Sequence, residues 1–351
     1  MKAVVYHGNR DIRIEDVPEP IPNAEEVKLR IDYCGICATD VEEYLYGPKF
    51  ISHDVPNSIT GKKLPLITGH EMTGTVIERG SNIKNIELGS RVAVNTVLTC
   101  DICAACRSGN KTLCQKMAVA GFDLNGGLAD YMVWKGSEVI KLPDKVSSEQ
   151  AVFAEPASVA MHAVRKSSLR GGQLLGILGC GTIGLLILQI AKSFGASVVA
   201  FDKSQSSLEM AKILGADHTI NVSEKDYSEN ISKFTSNHGL DVVIDSAGGK
   251  QTPNTAIDMV KPGGTVTLVA IYTHLAKVDF NDLVATEKKL IGSLAYLRDD
   301  LEDVLELIAN NSVKTANLIS QKICIDDVID KGFSEMMKTD KDVFRVVVSP
   351  G

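Results

Sequence analysis

The chain has 351 residues, with 37 basic against 44 acidic side chains and a net charge of −7. That length suits two domains. An apolar content of 44% is enough for a large packed core. The acidic balance argues against a nucleic-acid partner, which favours a basic face. The opening MKAVVYHGNRDIRIED turns charged at once and shows no apolar signal region. A cytoplasmic address is therefore expected, where thiols stay reduced and disulfides are not the default.

To about residue 150, short strands with Gly/Pro punctuation are expected at Glu26–Asp32, Glu71–Arg79, Arg91–Leu98 and Ala129–Trp134, an all-β region. The text turns helical over Val152–Arg165. Strands and helices then alternate. Strand Leu174–Leu178 leads to helix Ile183–Phe194, closed by Gly195 as a C-cap. Strand Ser197–Phe201 leads to helix Ser206–Leu214, again followed by glycine. Strand Asp241–Asp245, helix Thr252–Val260 and strand Thr265–Ile271 follow. Asp300–Gly351 reads as two helical pieces and a last strand, Val343–Ser349. The fold class is α/β: a β-rich first part, then a doubly wound parallel sheet with helices on its faces.

Gly171–Ala191 carries no charge over 21 residues, and its length alone would permit a membrane helix. Four glycines between Leu174 and Ala191 divide it into a buried strand and a helix.

The turn between that strand and helix is Gly179-Cys180-Gly181-Thr182-Ile183-Gly184, a G-x-G-x-x-G in the strand–turn–helix context the dinucleotide fingerprint requires. Gly179 permits the tight turn, Gly181 the close approach of a pyrophosphate, and Gly184 the packing of helix on strand. The helix start at Thr182 and Ile183 offers N–H groups to phosphates. Asp202 ends the next strand, 23 residues after Gly179, near the ~20 expected of a ribose ligand. A carboxylate there accepts from the ribose hydroxyls and repels a 2′-phosphate, favouring NAD. Lys203 argues the other way, since a cation receives that phosphate. The alternative role of Asp202 is a cap for the next helix.

Cys100-x2-Cys103-x2-Cys106-x7-Cys114 gathers four of the eight cysteines in fifteen positions. A ferredoxin-type cluster uses a last gap of three, often with proline next. Here the gap is seven and Gln115 follows, so a tetrahedral, closed, structural zinc fits better. An open metal site needs three protein donors and a free place. Cys37 in CGICATD, His70-Glu71 in LITGHEMTG and Glu155 in FAEPASVAMHAV supply the donor types. Singly, a His beside a Glu is more often just a polar surface pair, and a lone Cys is more often packed in a core.

CGICATD, GHEMTG, the four-cysteine lobe, FAEPASVAMHAV, GCGTIG, VVIDSAGG and KPGGTVTLV stand in an order that resembles the zinc-dependent medium-chain alcohol/polyol dehydrogenases over essentially the whole chain. The resemblance implies a GroES-like catalytic domain over 1–152 and 297–351, and an NAD-binding Rossmann domain over 153–296. It implies catalytic and structural zinc ions, NAD, a small alcohol or polyol substrate, and a homodimer or homotetramer.

By the same resemblance, Cys37, His70 and Glu155 match positions that hold or approach the catalytic zinc. Glu71 matches a neighbouring carboxylate that either ligates or stands behind the ligands. Asp40 matches the residue that orients the histidine or the metal site, and Thr39 the hydroxyl that passes on the substrate proton. Cys34 is not expected to bind metal. Where some relatives carry a proton-relaying histidine this chain has Glu42, so the proton leaves through that carboxylate, through water or through the ribose. Arg345 is expected either at the cofactor phosphates or as a solvated strand charge. The 33 positions from Cys37 to His70 hold an insert beginning EYLYGP that resembles the butanediol dehydrogenases of the family and would line the substrate mouth, with departures around Ser52–Ile59. Sorbitol and L-threonine 3-dehydrogenases of the same family are the alternatives. A remote one is a zinc-ribbon nucleic-acid-binding protein, although ribbons show two separated C-x2-C pairs.

Overall fold

The computed structural model describes residues 1–224, 234–235, 237–338 and 343–351. The chain divides into two compact units: Met1–Glu155 with Leu297–Ala309 and Thr315–Gly351, and Pro156–Tyr296 with Asn310–Lys314.

In the first unit the strands Glu71–Arg79, Arg91–Val94 and Arg345–Ser349 are buried along most of their length, while Tyr131–Lys135 and Ile319–Cys324 alternate between more and less buried positions. The strand order of their sheet is Val139–Lys141, Arg91–Val94, Glu71–Arg79, Glu26–Ile36, Arg345–Ser349, Ile319–Cys324, and Tyr131–Lys135 also pairs Glu26–Ile36. The C-terminal strand Arg345–Ser349 thus lies in the sheet of the N-terminal residues. Valines, leucines and isoleucines of these strands bury Trp134, Met72 and Phe333 in one core. The expected strand Arg91–Leu98 is broken after Val94. Asn95 leaves the ladder there, its N–H bonding to the Glu138 carbonyl (2.8 Å) and its carbonyl accepting from the Trp134 indole (2.9 Å). The Asn95 side chain donates as well, from Nδ2 to Glu138 Oε2 at 2.6 Å, and these partners outside the strand outweigh β propensity at that point.

Register positions the site. Glu26–Ile36 and Glu71–Arg79 run antiparallel with Gly35 opposite Glu71, and Ile36 lies opposite Val346. Cys37 leaves the first strand at the same sheet end where His70 enters the second and Arg345 begins the third. Residues far apart in sequence become neighbours there. Cys37 N-caps the helix Ala38–Tyr46, and its N–H donates to Asp40 Oδ2 at 2.9 Å.

The second unit holds, among the described residues, a six-stranded parallel sheet. Its order is His218–Asn221, Ser197–Asp202, Leu174–Leu178, Leu240–Asp245, Val260–Leu268, Lys289–Gly292. This is the Rossmann order, with the chain reversing direction across the sheet between Leu174–Leu178 and Leu240–Asp245. Helices Thr182–Ser193, Gln205–Ile213 and Thr252–Met259 follow their strands as the alternation predicts. The strand expected at Thr265–Ile271 runs earlier, Val260–Leu268. Its end comes where the Val269 and Ala270 N–H groups turn to the Asp245 carbonyl. The uncharged stretch from Gly171 is a strand, a turn and a helix. Among the described residues no helix is long and apolar enough to cross a membrane.

Candidate metal and dinucleotide sites

Cys37 Sγ, a ring nitrogen of His70 and a carboxylate oxygen of Glu71 lie within 4.8 Å of one another. Asp40 braces the group from behind. One carboxylate oxygen holds the Cys37 N–H, and the other lies 3.5 Å from His70 Nδ1. At that distance the carboxylate faces the imidazole as a charge partner rather than a hydrogen-bond acceptor, on the side from which metal-binding histidines are oriented. Burial opposes a charge on His70, but Asp40 and Cys37 more than offset it and hold its pKa well above the usual range. Thr39 Oγ1 is 3.4 Å from His70 Nε2.

The donor set fits a catalytic zinc: a thiolate, an imidazole and a carboxylate leave one tetrahedral place for a small molecule. Both Glu71 carboxylate oxygens are buried without a hydrogen bond of good geometry, though one faces Arg345 in an ion pair. Glu155 is not in the group whose donor atoms meet, yet it is close enough to interact with it. Burial pushes its pKa up to about 8, His70 and Arg345 pull it down, and Glu71 and Asp40 add to the rise. Of the two candidate carboxylates, then, Glu71 is the one placed among the donors. Glu42 is half-buried on the Ala38–Tyr46 helix.

The structure corrects the reading of Arg345. It is neither a solvated strand charge nor a side chain held open for a phosphate. It is 3% exposed, with Nη2 at 3.2 Å from Glu71 Oε1 and Nη1 donating to the Ile36 carbonyl at 2.8 Å. Antiparallel pairing of its neighbour Val346 with Ile36 put it there, and only a correct strand pairing would have revealed it from the sequence.

The four cysteines of the lobe converge. Their sulfurs lie within 4.8 Å of one another, with Cys103–Cys106 at 3.4 Å and Cys100–Cys106 at 4.0 Å. A disulfide would need about 2.05 Å. Zinc–sulfur bonds of about 2.3 Å in a tetrahedron place sulfurs about 3.8 Å apart, which these distances bracket. Backbone N–H groups of Ile102 and Cys103 hold Cys100 down to about 6, while burial and then Cys103 lift Cys106 to about 12.

In the second unit, Gly179 takes φ +91° at the strand end, a left-handed conformation that favours glycine. A Cβ on Gly184 would stand 1.9 Å from the Gly179 carbonyl oxygen, so helix and strand approach there as only glycine allows. A Cβ on Gly181 would meet nothing within 4 Å, so open space lies over the start of the Thr182–Ser193 helix, whose cap carries no side-chain hydrogen bond. Ile183 lies in the first turn of that helix. An uncapped helix start beneath open space fits a pyrophosphate. Asp202 stands at the end of its strand, accepting from the Cys180 N–H at 2.6 Å and the Ser204 N–H at 2.8 Å, with Lys203 between it and the next helix.

Two buried carboxylates escaped the sequence reading. Glu43 accepts from the Lys49 and Phe50 N–H groups and anchors the start of the insert. Asp245 gathers the Ala247 N–H, the Thr252 hydroxyl and the Tyr272 hydroxyl (2.6 Å), tying together the loops after two neighbouring strands. An acidic residue ending an apolar strand, as in VVID, was the available signal.

A family model described as "Alcohol dehydrogenase GroES-like domain" matches residues 23–144, and one described as "Zinc-binding dehydrogenase" matches 182–310. The chain is 33% identical to the (R,R)-butanediol dehydrogenase of Bacillus subtilis, all of both chains being covered. It is 30% identical to the sorbitol dehydrogenase of the same organism, over 100% of this chain and 97% of that one. The crystal structure of 2R,3R-butanediol dehydrogenase from Bacillus subtilis superposes with a TM-score of 0.93 at 33% identity, covering 100% of this chain and 99% of that one. With these residues in these places, the chain belongs to the zinc-dependent medium-chain alcohol/polyol dehydrogenase family.

Proposed function

We propose that this oxidoreductase interconverts a vicinal diol or polyol and its ketone with NAD, 2,3-butanediol being the favoured substrate. The observation that carries this is the convergence of Cys37, His70 and Glu71 around one place. Full-length similarity to a butanediol dehydrogenase supports the substrate.

Cys37, His70 and Glu71 hold the catalytic zinc, with Glu155 near them. When bound, zinc lends a Lewis acid that lowers the pKa of an alcohol, and NAD lends the hydride acceptor. Asp40 orients His70 and pins Cys37. Thr39 takes the substrate proton at Oγ1, and it leaves through the Glu42 carboxylate, through water or through the ribose. Cys100, Cys103, Cys106 and Cys114 hold the structural zinc. Gly179, Gly181, Thr182, Ile183 and Gly184 receive the pyrophosphate. Asp202 binds the ribose hydroxyls and excludes a 2′-phosphate, with Lys203 beside it.

We also assign the chain to the cytoplasm, where thiols such as those gathered in the four-cysteine lobe stay reduced for metal. We expect a homodimer or homotetramer, because Leu275, Phe280, Val284 and Leu294 stand exposed on one stretch of the second unit.

The test is NAD reduction with 2,3-butanediol stereoisomers, sorbitol, xylitol, threonine and simple secondary alcohols. Turnover of one butanediol stereoisomer above the rest is expected. Preferred turnover of sorbitol would keep the mechanism and overturn the substrate.

A further inference from the structure

We infer that Asp123 is a positioning residue of the substrate pocket, latching the insert between Cys37 and His70 to the turn that carries Phe122 and so holding the Phe122 ring against His70 as an apolar wall. The inference rests on the alcohol-dehydrogenase reading and deepens it.

The Phe122 ring lies 4.9 Å from the His70 ring, centroid to centroid, tilted by 37°. Phe50, in the insert, meets the Phe122 ring edge-on at 6.4 Å. An apolar ring beside a metal-site imidazole limits what chain an alcohol can carry next to its reacting carbon. What holds that ring is largely the insert. Asp123 Oδ1 accepts from Ser52 Oγ at 2.8 Å and from Asn57 Nδ2 at 3.0 Å, and the Asp123 carbonyl accepts from Thr60 Oγ1 at 2.6 Å. The Ser52 N–H donates to the Phe122 carbonyl at 3.2 Å. The other carboxylate oxygen takes the Val119 N–H at 2.9 Å, closing the turn itself. One half-buried carboxylate therefore joins the turn below Phe122 to two positions of the insert, and the Asp123 carbonyl joins it to a third. Hydrogen bonds to a charged acceptor are the stronger kind, about twice a neutral pair. An insert that has no strand of its own over 47–65 gains a defined position from them.

The latch predicts a selectivity effect without loss of the metal. In Asp123→Ala, and in the double variant Ser52→Ala/Asn57→Ala that leaves the Val119 bond intact, the preference in kcat/KM for 2,3-butanediol over 2,3-hexanediol and sorbitol should fall about tenfold, the scale at which a pocket resolves methylenes. KM for butanediol should rise while kcat is kept, and Asp123→Asn, which retains one acceptor oxygen, should restore much of the preference. Phe122→Ala should cause the same loss, and adding Asp123→Ala to it should cost little more. Calorimetric Kd values for tertiary alcohols of growing chain, which have no hydride to give, should lose their size dependence in the same variants at unchanged zinc content. If the variants fold with full zinc and keep the wild-type preference and size dependence, the latch is wrong. If Asp123→Ala does not fold, the double variant decides by the same readouts. If the wild type oxidises no alcohol, the functional reading falls and this inference with it. Wild-type turnover with unaltered variant preference overturns the latch alone.

Discussion

Arg345 Nη2 lies 3.2 Å from Glu71 Oε1, with the guanidinium 3% and the carboxylate 1% exposed. The pair sits at the sheet end where the candidate metal donors meet. Burial opposes charge on both partners, and each offsets that cost for the other. Removing one leaves an uncompensated buried charge, which costs about 3–5 kcal/mol. Arg345→Met should lower the unfolding free energy by that order in urea titrations of the zinc-free protein, where no metal offsets the charge left on Glu71. The Arg345→Met/Glu71→Leu double variant should lose much less than the two single losses combined. Additive losses would mean that the two do not interact.

Two glycines of the nucleotide turn should fail in different ways. Gly184→Ala forces a methyl onto the Gly179 carbonyl, and overpacking of this kind costs about 1–3 kcal/mol or more. Thermal denaturation of the cofactor-free protein should show the loss. Gly181→Ala has room in the protein, so its melting temperature should be unchanged while KM for NAD rises. Equal melting losses would contradict the assignment of the open space to a pyrophosphate.

Asp202→Ala should raise KM for NAD and erode the preference over NADP. Hydrogen bonds to a charged acceptor contribute about 1.5–3 kcal/mol, so a change of roughly ten- to hundredfold in the kcat/KM ratio is expected. Part of the effect arises from the Cys180 N–H, which loses its acceptor. Steady-state kinetics with both cofactors checks this, and an unchanged ratio would leave Asp202 as a turn residue only.

Metal binding at the four-cysteine lobe should release protons. At neutral pH Cys100, held down to about 6, is already a thiolate, whereas Cys106, lifted to about 12, keeps its proton until metal displaces it. Zinc affinity at this site should therefore rise with pH, and fall most steeply below about pH 6, where Cys100 also protonates. Chelator competition against pH measures it. A pH-independent affinity would contradict the thiolate assignment.

Much of this was legible in the sequence where local pattern and local chemistry agree. Glu71–Arg79 and Leu174–Leu178 have the bounds expected of them, because alternation and apolar runs flanked by glycine are local signals. The outer strands His218–Asn221 and Lys289–Gly292 were not, being short and bounded by polar residues. The helix Ala38–Tyr46 was also missed. Its cap is a cysteine rather than a residue common at caps, and its Asp40 reads as a site residue as readily as a helix-start one. Long-range pairings were out of reach. No pattern near Arg345 names Glu71, and none near Asp123 names Ser52 or Asn57. Those contacts exist only once strand register and the path of the insert are known.

The central claim is that Cys37 belongs to a metal centre that acts on the alcohol, distinct from the four-cysteine lobe. The direct measurement is zinc content and NAD-linked butanediol oxidation of Cys37→Ser beside the wild type. The account predicts that the variant folds, keeps the zinc of the lobe, loses the other and has lost turnover by several orders of magnitude. A Cys37→Ser protein with wild-type zinc and wild-type turnover would contradict it.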